Sequence, residues 1–188
     1  MRSMRRDGQN HQGGGRRVRA GRLGLATLWS GSVASLASAA VLAWCGRRER
    51  GAPAQPVNAP SHWLWREEAL RQRGFTLRHT VSGYLIHHGS SMLWAACYER
   101  LMFDRAHRAP RAAALALTVA GVAAAVDLKL TPQRFTPGFE KHLSAGALAA
   151  MYGVFGLALF GAHAVRRRLT DPARPPAPNP PAPARRHR

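Results

Sequence analysis

Residues 23–45 read LGLATLWSGSVASLASAAVLAWC and contain no charged side chain. A helix needs about 20 mainly apolar residues to cross the roughly 30 Å hydrocarbon core of a bilayer, and this stretch reaches that length. Three further stretches with few charges follow, at residues 79–98, 112–130 and 143–165. Because a chain in lipid must satisfy its own backbone hydrogen bonds, the pattern predicts an all-α membrane protein, a bundle of about four transmembrane helices with disordered termini.

The charge of the chain lies outside these stretches. The formal net charge is +19, and the arginines are concentrated in the two tails and in the connectors. A strongly basic chain can bind nucleic acid, but arginines that flank apolar spans are typical of membrane helices beside anionic lipid headgroups. We therefore predict the lipid bilayer, with anionic headgroups, as a partner and expect no nucleic acid.

The distribution of arginine also predicts an orientation. Under the positive-inside rule, the short loops and tails beside membrane spans that are richest in arginine lie in the cytoplasm. Both tails and the connector after the second span fit that rule, which predicts a multi-pass protein of the bacterial inner (plasma) membrane with both termini cytoplasmic. The first connector disagrees, because it is also rich in arginine, although Glu49, Glu67 and Glu68 offset part of its charge. If this connector is cytoplasmic, either the first or the third span does not cross.

The first span has an alternative interpretation as a cleaved signal peptide. An arginine-rich start, an apolar core and the small residues Ala37, Ser38 and Ala39 resemble a cleavage site. The uncharged run continues to Cys45, longer than a typical signal core, so a retained helix is the preferred interpretation. For the third span the sequence does not decide whether the helix crosses the membrane fully, because Asp127 and Lys129 lie near its end.

The segments outside the spans have their own signals. Residues 1–22 are rich in Gly, Arg and Gln and predict a disordered basic tail, and residues 167–188 predict a disordered Pro/Arg-rich tail. Residues 23–166 then form a single transmembrane domain. Between the third and fourth spans, Pro137 and Gly138 predict a stiff connector with a turn at positive φ.

The second span has one polar face. At 100° per residue its polar and small side chains share a single side of the helix, which we expect to face the bundle interior. The members of this face are His79, Thr80, Gly83, His87, Ser90, Ser91, Trp94 and Tyr98. The opposite face contains Val81, Leu85 and Leu93.

Small residues mark faces of the other spans. In the third span a stripe of alanines, from Ala113 to Ala124, continues into Asp127, and Gly31 and Gly156 lie in similar runs in the first and fourth spans. Small side chains let membrane helices approach closely. The alanine stripe therefore predicts that Asp127 faces other helices, and an ionisable residue buried in a membrane is a candidate functional group. The alternative is an interfacial carboxylate that reaches water or pairs with Lys129.

Five polar residues form the candidate binding site. In the four-span topology most of them converge on the outer membrane boundary, with His87 roughly 12 Å deeper than His79. The candidates are His79, His87, Asp127, Glu140 and His142. They could bind a divalent metal, ligate a haem or pass protons, and the plainest alternative is that they only hydrogen-bond across helices. Because the sequence has neither an HExxH motif nor paired cysteines, the metal stays unknown and no cofactor is predicted.

No arrangement of residues predicts catalysis. The leading hypothesis is a non-enzymatic membrane-associated structural or accessory protein that associates with lipid, with another membrane protein or with itself. The alternatives are a small proton- or ion-coupled transporter or channel subunit that uses Asp127 and His87, and a haem- or metal-binding redox subunit. His163, which precedes three arginines, is expected in the headgroup region.

Overall fold

The computed structural model describes residues 4–103 and 108–170, and this part of the chain is helical with short connectors and no strand. The α-helices are α1 (Met4–Arg50), α2 (Ala54–Asn58), α3 (His62–Arg71), α4 (Ser82–Met102), α5 (Ala109–Ala125) and α6 (Ala145–Thr170). Single 3₁₀ turns lie at Ala59–Ser61, Gln133–Phe135 and Phe139–Lys141, and π-helical turns at Leu77–Val81 and Val126–Leu130. The long helices α1, α4, α5 and α6 form an antiparallel bundle.

Small residues determine how closely these helices approach. Helix α1 packs against α4 and α6, and α5 packs against α6 and more lightly against α4. A Cβ atom on Gly31 would lie 3.1 Å from the Ala95 Cβ, and one on Gly156 would lie 3.0 Å from the Ala120 Cβ. At these two positions the side chain must be absent for the backbones to come this close, so the predicted close packing is confirmed there.

The predicted inner face of α4 is the face that the bundle buries. Gly83, Ser91 and Tyr98 are buried, whereas Leu85 and Leu93 are 60% and 62% exposed. The helical period of polar residues in the sequence therefore gave the rotation of this helix correctly.

Fewer helices than the four predicted are both long enough and apolar enough to cross a membrane. Within residues 4–103 and 108–170, three helices are long and apolar enough to cross a membrane: Arg17–Arg50, Ala109–Leu130 and Ala145–Thr170. The segment predicted as the second span, residues 79–98, forms part of a long helix but is not among them. The reason is its polar inner face, since histidines and serines lower the mean hydropathy of the whole segment.

The termini also differ from the prediction. Helix α1 begins at Met4, so most of the tail predicted to be disordered is helical. No proline precedes Pro53, and adding residues to an existing helix costs little free energy because nucleation has already occurred. Helix α1 therefore extends toward the N-terminus through the arginine-rich segment. Helix α6 ends at Thr170. Residues 171–188 of the predicted C-terminal tail lie outside the described residues.

Residues 51–76 and 131–144 form a cap on the end of the bundle where α4 and α6 begin. The amide of Asn58 holds the first segment together by donating to the carbonyl oxygens of Gln72 and Gly74, both at 2.9 Å. Its side-chain oxygen accepts a 2.6 Å hydrogen bond from Thr80. Because this side chain is fully buried and satisfied, it fixes the fold of a segment that has little apolar core of its own.

The two segments of the cap contact each other and the bundle. The Trp63 indole donates a 3.0 Å hydrogen bond to the Thr136 carbonyl. Gly138 has φ +83°, the predicted positive-φ turn, and a Cβ there would lie 2.9 Å from His62 Nδ1. Glu49 accepts hydrogen bonds from the Ser144 amide (2.8 Å) and hydroxyl (2.7 Å), which ties the end of α1 to the start of α6.

Candidate binding cavity

A cavity of about 240 Å³ lies between α4, α5 and α6, directly below the cap. Its wall is mostly apolar and aromatic. The lining residues are Pro60, Trp63, Ile86, His87, Ser90, Ser91, Leu93, Trp94, Ala123, Val126, Asp127, Thr131, Phe135, Pro137, Phe139, Met151, Tyr152 and Phe155. A mainly apolar pocket with a few convergent polar groups is the usual form of a small-molecule site.

Asp127 supplies the carboxylate of this cavity. The Tyr152 hydroxyl donates to Asp127 Oδ2 at 3.0 Å, and Trp94 lies beside the same carboxylate. Among the described residues, no lysine, arginine or histidine lies within ion-pair distance of Asp127. The aspartate therefore faces the cavity with neutral hydrogen-bonding partners, and the predicted pairing with Lys129 is not observed.

His87 reaches the same cavity from α4. Its Nε2 lies 2.9 Å from the Ser38 hydroxyl, and its ring contacts the Phe139 ring edge-to-face at 6.5 Å. The Ser38 hydroxyl lies 2.8 Å from the Ala34 carbonyl oxygen and donates there, so it accepts from His87 Nε2. This assigns the proton of a neutral His87 to Nε2.

The other three candidates lie outside the cavity. His79 is buried at the junction of the cap and α4, where Nδ1 is 3.1 Å from the Thr76 hydroxyl and Nε2 is 3.5 Å from Glu68. Glu140 and His142 are half-buried in the cap. Burial, followed by the positive charge of Arg50, lowers the pKa of His142 below its ordinary value.

The structure thus brings together two of the five predicted residues, His87 and Asp127, with Tyr152 as a partner that the sequence analysis did not identify. Within residues 4–103 and 108–170, no three His, Cys, Asp or Glu side chains are close enough to share a metal ion. The cavity can hold an apolar body, accept hydrogen bonds and present one negative charge. Its residues do not form a metal-binding set.

A second buried polar group lies nearer the other end of the bundle, and sequence reasoning missed it. Glu99 is 1% exposed, and its Oε2 lies 2.8 Å from Arg166 Nη2 and 3.2 Å from His163 Nδ1. Arg166 supplies the positive charge beside the glutamate, and its Nη2 also lies 3.3 Å from His163 Nδ1. We call Glu99, His163 and Arg166 the ionic cluster. His163 is 5% exposed and faces the bundle interior, and its depth at the headgroup region stays a prediction.

The sequence did contain a signal for Glu99. Helix α4 buries Ser91, Ala95 and Met102, and Glu99 continues this stripe at a spacing of four residues from Ala95. Extending the helical wheel one turn beyond Ala95 would have placed a carboxylate in the bundle interior, where it requires a cation from another helix.

No family model, no curated protein and no solved structure matches the chain. The function of the protein is therefore inferred from the geometry of the cavity and from the surface of the bundle.

Proposed function

We propose that the chain is a non-enzymatic, multi-pass membrane protein whose function is to bind a small, mainly apolar molecule in the cavity between α4, α5, α6 and the cap. The observation that carries the proposal is the cavity itself, because an apolar space with a few inward polar groups is what small ligands require. The proposal has three parts: the location in a membrane, the orientation, and the route by which a ligand reaches the cavity.

The outer surface of the bundle supports a membrane location. Large apolar residues are exposed on all four long helices, including Leu25 on α1 (70%), Leu93 on α4 (62%), Leu117 on α5 (45%) and Leu157 on α6 (55%). Polar side chains of α1, such as Ser38, are instead fully buried. A helix that is polar inside and apolar outside fits lipid, so we propose that α4 is the fourth span despite its lower hydropathy.

The arginines at one end of the bundle support an orientation, although Arg47, Arg48 and Arg50 at the other end of α1 and the arginines of the cap oppose it. Each long helix has arginine near the end of the bundle that is opposite the cap. These are Arg17, Arg19 and Arg22 on α1, Arg100 on α4, Arg111 on α5, and Arg166, Arg167 and Arg168 on α6. We propose that this end faces the cytoplasm of a bacterium, next to anionic headgroups of the inner membrane, and that the cap faces outward.

The lining of the cavity supports access from the side. Leu93 on α4 and Phe135 in the cap both line the cavity, and they are 62% and 48% exposed. The cavity therefore reaches the outer surface of the bundle near these residues. In a bilayer this surface faces lipid, so a ligand dissolved in the membrane enters without crossing the cap.

Photolabelling tests the proposal. Phenyl trifluoromethyl diazirine, a small apolar probe that dissolves in lipid, is photolysed with the protein in lipid nanodiscs, and labelled residues are mapped by mass spectrometry. We expect saturable labelling of Met151 and Tyr152, which are 2% and 7% exposed, because only a probe inside the cavity reaches them. Leu157 on the lipid face should be labelled in simple proportion to probe concentration.

Two neighbouring positions on α4 provide a matched pair of variants. Ser90→Phe places a ring in the cavity and should abolish saturable labelling of Met151 and Tyr152. Gly89→Phe adds the same ring where a Cβ meets nothing within 4 Å, and it should leave the labelling unchanged. Equal labelling of both variants, or no saturable labelling of the native protein, would reject a ligand-binding cavity.

Proton- or ion-coupled transport is the second candidate, and the observation that favours it is that Asp127 and His87 line the same cavity. In proteoliposomes, uptake driven by a proton gradient should fail in Asp127→Asn while the folded bundle persists. Uptake that is still driven by the proton gradient in the Asn variant would reject coupling at this residue. Association with another membrane protein or with a second copy stays a prediction from the sequence.

A further inference from the structure

We propose that the ligand of the cavity is a small organic cation, a protonated amine or quaternary ammonium group on an aryl or alkyl body. This inference deepens the proposed function and depends on it. It is drawn from the charge, the rings and the size of the cavity.

The charge of the cavity is unbalanced. Asp127 is a lining residue, and none of the lining residues is a lysine or arginine. Among the described residues, the Tyr152 hydroxyl at 3.0 Å and the Trp94 side chain hydrogen-bond to Asp127, and neither carries a positive charge. A carboxylate in mainly apolar surroundings is costly unless a cation accompanies it. The described residues supply no such cation at this carboxylate, so a positively charged ligand would complete the site.

Aromatic rings form much of the wall of the same cavity. Trp63, Trp94, Phe135, Phe139, Tyr152 and Phe155 all line the cavity. Ring faces attract cations, and aromatic cages are the common way in which proteins recognise quaternary ammonium groups.

Arginine side chains lie over several aromatic rings elsewhere in the chain. Arg48 lies 5.0 Å from the centre of the Trp44 ring, and Arg78 lies 4.0 Å from that of Trp65. In the cavity, Phe135 has Arg134 at 5.9 Å. Among the described residues no such contact involves Trp63 or Trp94, although the Trp63 ring packs edge-to-face with Phe135 at 5.7 Å. The cation of a ligand would therefore meet these indoles without displacing an arginine.

The volume limits the size of the cation. An apolar cavity of about 150 Å³ takes a benzene molecule. The cavity here is about 240 Å³, which suits one aromatic ring with a small ammonium group or an alkylammonium of similar size. A cation with several rings would have to extend through the side opening near Leu93.

The decisive experiment compares a cation with its neutral isostere. Benzyltrimethylammonium and neopentylbenzene have nearly the same shape and differ in the charge of one central atom. Both are tested as competitors of the diazirine photolabel at Met151 and Tyr152, with the full chain in nanodiscs of zwitterionic lipid, so that anionic headgroups do not collect the cation. We expect the cation to compete at a concentration about tenfold lower than the neutral compound, because only the cation pairs with the carboxylate and the ring faces.

Variants at the carboxylate identify the source of the preference. Asp127→Asn should weaken competition by the cation about tenfold and leave competition by neopentylbenzene unchanged. Asp127→Glu keeps the charge and should keep the preference for the cation, and Tyr152→Phe should keep it as well. If the Asn variant does not fold, the Glu and Phe variants still test the inference, since loss of the preference in both would contradict it.

The outcomes separate the two proposals. If neopentylbenzene competes as well as the cation, and Asp127→Asn affects neither, the cavity binds ligands but the inference about charge is wrong. If neither compound competes and the photolabel itself is not saturable, both proposals are wrong. Benzyltrimethylammonium that binds Ser90→Phe as tightly as the native protein, measured directly by titration calorimetry, would lie outside the cavity and would also overturn the inference.

Discussion

The bundle contains two interior carboxylates at different depths, and their neighbouring side chains differ in charge. Glu99 is held by Arg166 at 2.8 Å and by His163 at 3.2 Å, whereas Asp127 is held by the Tyr152 hydroxyl at 3.0 Å. Along α4, the residue that reaches the Asp127 cavity, His87, precedes Glu99 by about 18 Å. The first carboxylate is neutralised inside the protein, and the second keeps its charge available in a cavity.

This difference separates a stabilising group from a binding group. The ionic cluster joins α4 to α6, and Ser30 of α1 lies beside it, so three helices meet at one neutralised carboxylate. Asp127 has neutral hydrogen-bond partners, and we propose that a cation binds beside it. A carboxylate that is paired within the fold contributes to assembly, while a carboxylate left without a cation contributes to recognition.

Removing the cation of the ionic cluster should have the largest effect. Arg166→Met keeps most of the side-chain volume but leaves Glu99 buried without a positive charge, which should lower the free energy of unfolding by about 3 kcal/mol. Denaturant-induced unfolding in mixed micelles measures this change. Arg168→Met, an exposed arginine on the same helix, is the control and should have little effect.

A double variant sharpens this result. Adding Glu99→Gln to Arg166→Met removes the charge that was left unpaired, so the double variant should recover much of the lost stability. If Arg166→Met is as stable as the native protein, the ionic cluster does not hold the helices together and the comparison with Asp127 fails.

The corresponding change at the cavity should affect binding and leave stability nearly unchanged. Asp127→Asn removes a charge that has no cation partner in the fold, so the free energy of unfolding should stay within about 0.5 kcal/mol of the native value or rise. Cation affinity should fall about tenfold, equivalent to about 1.4 kcal/mol. Unfolding and photolabel competition on the same sample measure both quantities. A loss of stability as large as that of Arg166→Met would show that Asp127 is a structural residue.

Two buried serines on α1 test the neutral contacts at the cavity. Ser38 contacts His87 at 2.9 Å, whereas the Ser35 hydroxyl has no hydrogen-bond partner, and both residues are fully buried. Ser38→Ala should cost about 1 kcal/mol of stability because His87 loses its partner, and Ser35→Ala should be neutral or stabilising because it removes an unsatisfied group. Equal effects of the two changes would mean that the contact with His87 contributes nothing.

The sequence predicted what depends on the period of a single helix. The inner face of α4, the close approach at Gly31 and Gly156, and the turn at Gly138 follow from local spacing and from residue size, and the structure has all of them. His87 and Asp127 were also chosen from such faces, and they line one cavity.

The partners across helices could not be predicted in the same way. Tyr152 lies 25 residues from Asp127, and Arg166 lies 67 residues from Glu99. Such pairs depend on the relative height and rotation of two packed helices, which a periodic pattern in one helix does not determine. The fold of the cap could not be predicted either, since it depends on the hydrogen bonds of one buried asparagine, Asn58, to carbonyl groups distant in the sequence.

The smallest effect is expected from His142, in the cap and outside both carboxylate sites. Burial and then Arg50 lower its pKa, with Lys141 acting in the same direction and Glu140 opposing it. The unfolded chain therefore binds a proton at this histidine at a higher pH than the folded chain does. Stability should fall as the pH decreases through the ordinary histidine pKa of about 6.5 towards the lower folded value. His142→Gln should reduce this slope in unfolding curves measured between about pH 7 and pH 5. An unchanged slope would assign the pH dependence to other groups, whereas a change as large as that of Arg166→Met would make the cap, rather than the ionic cluster, the more sensitive charged region of the fold.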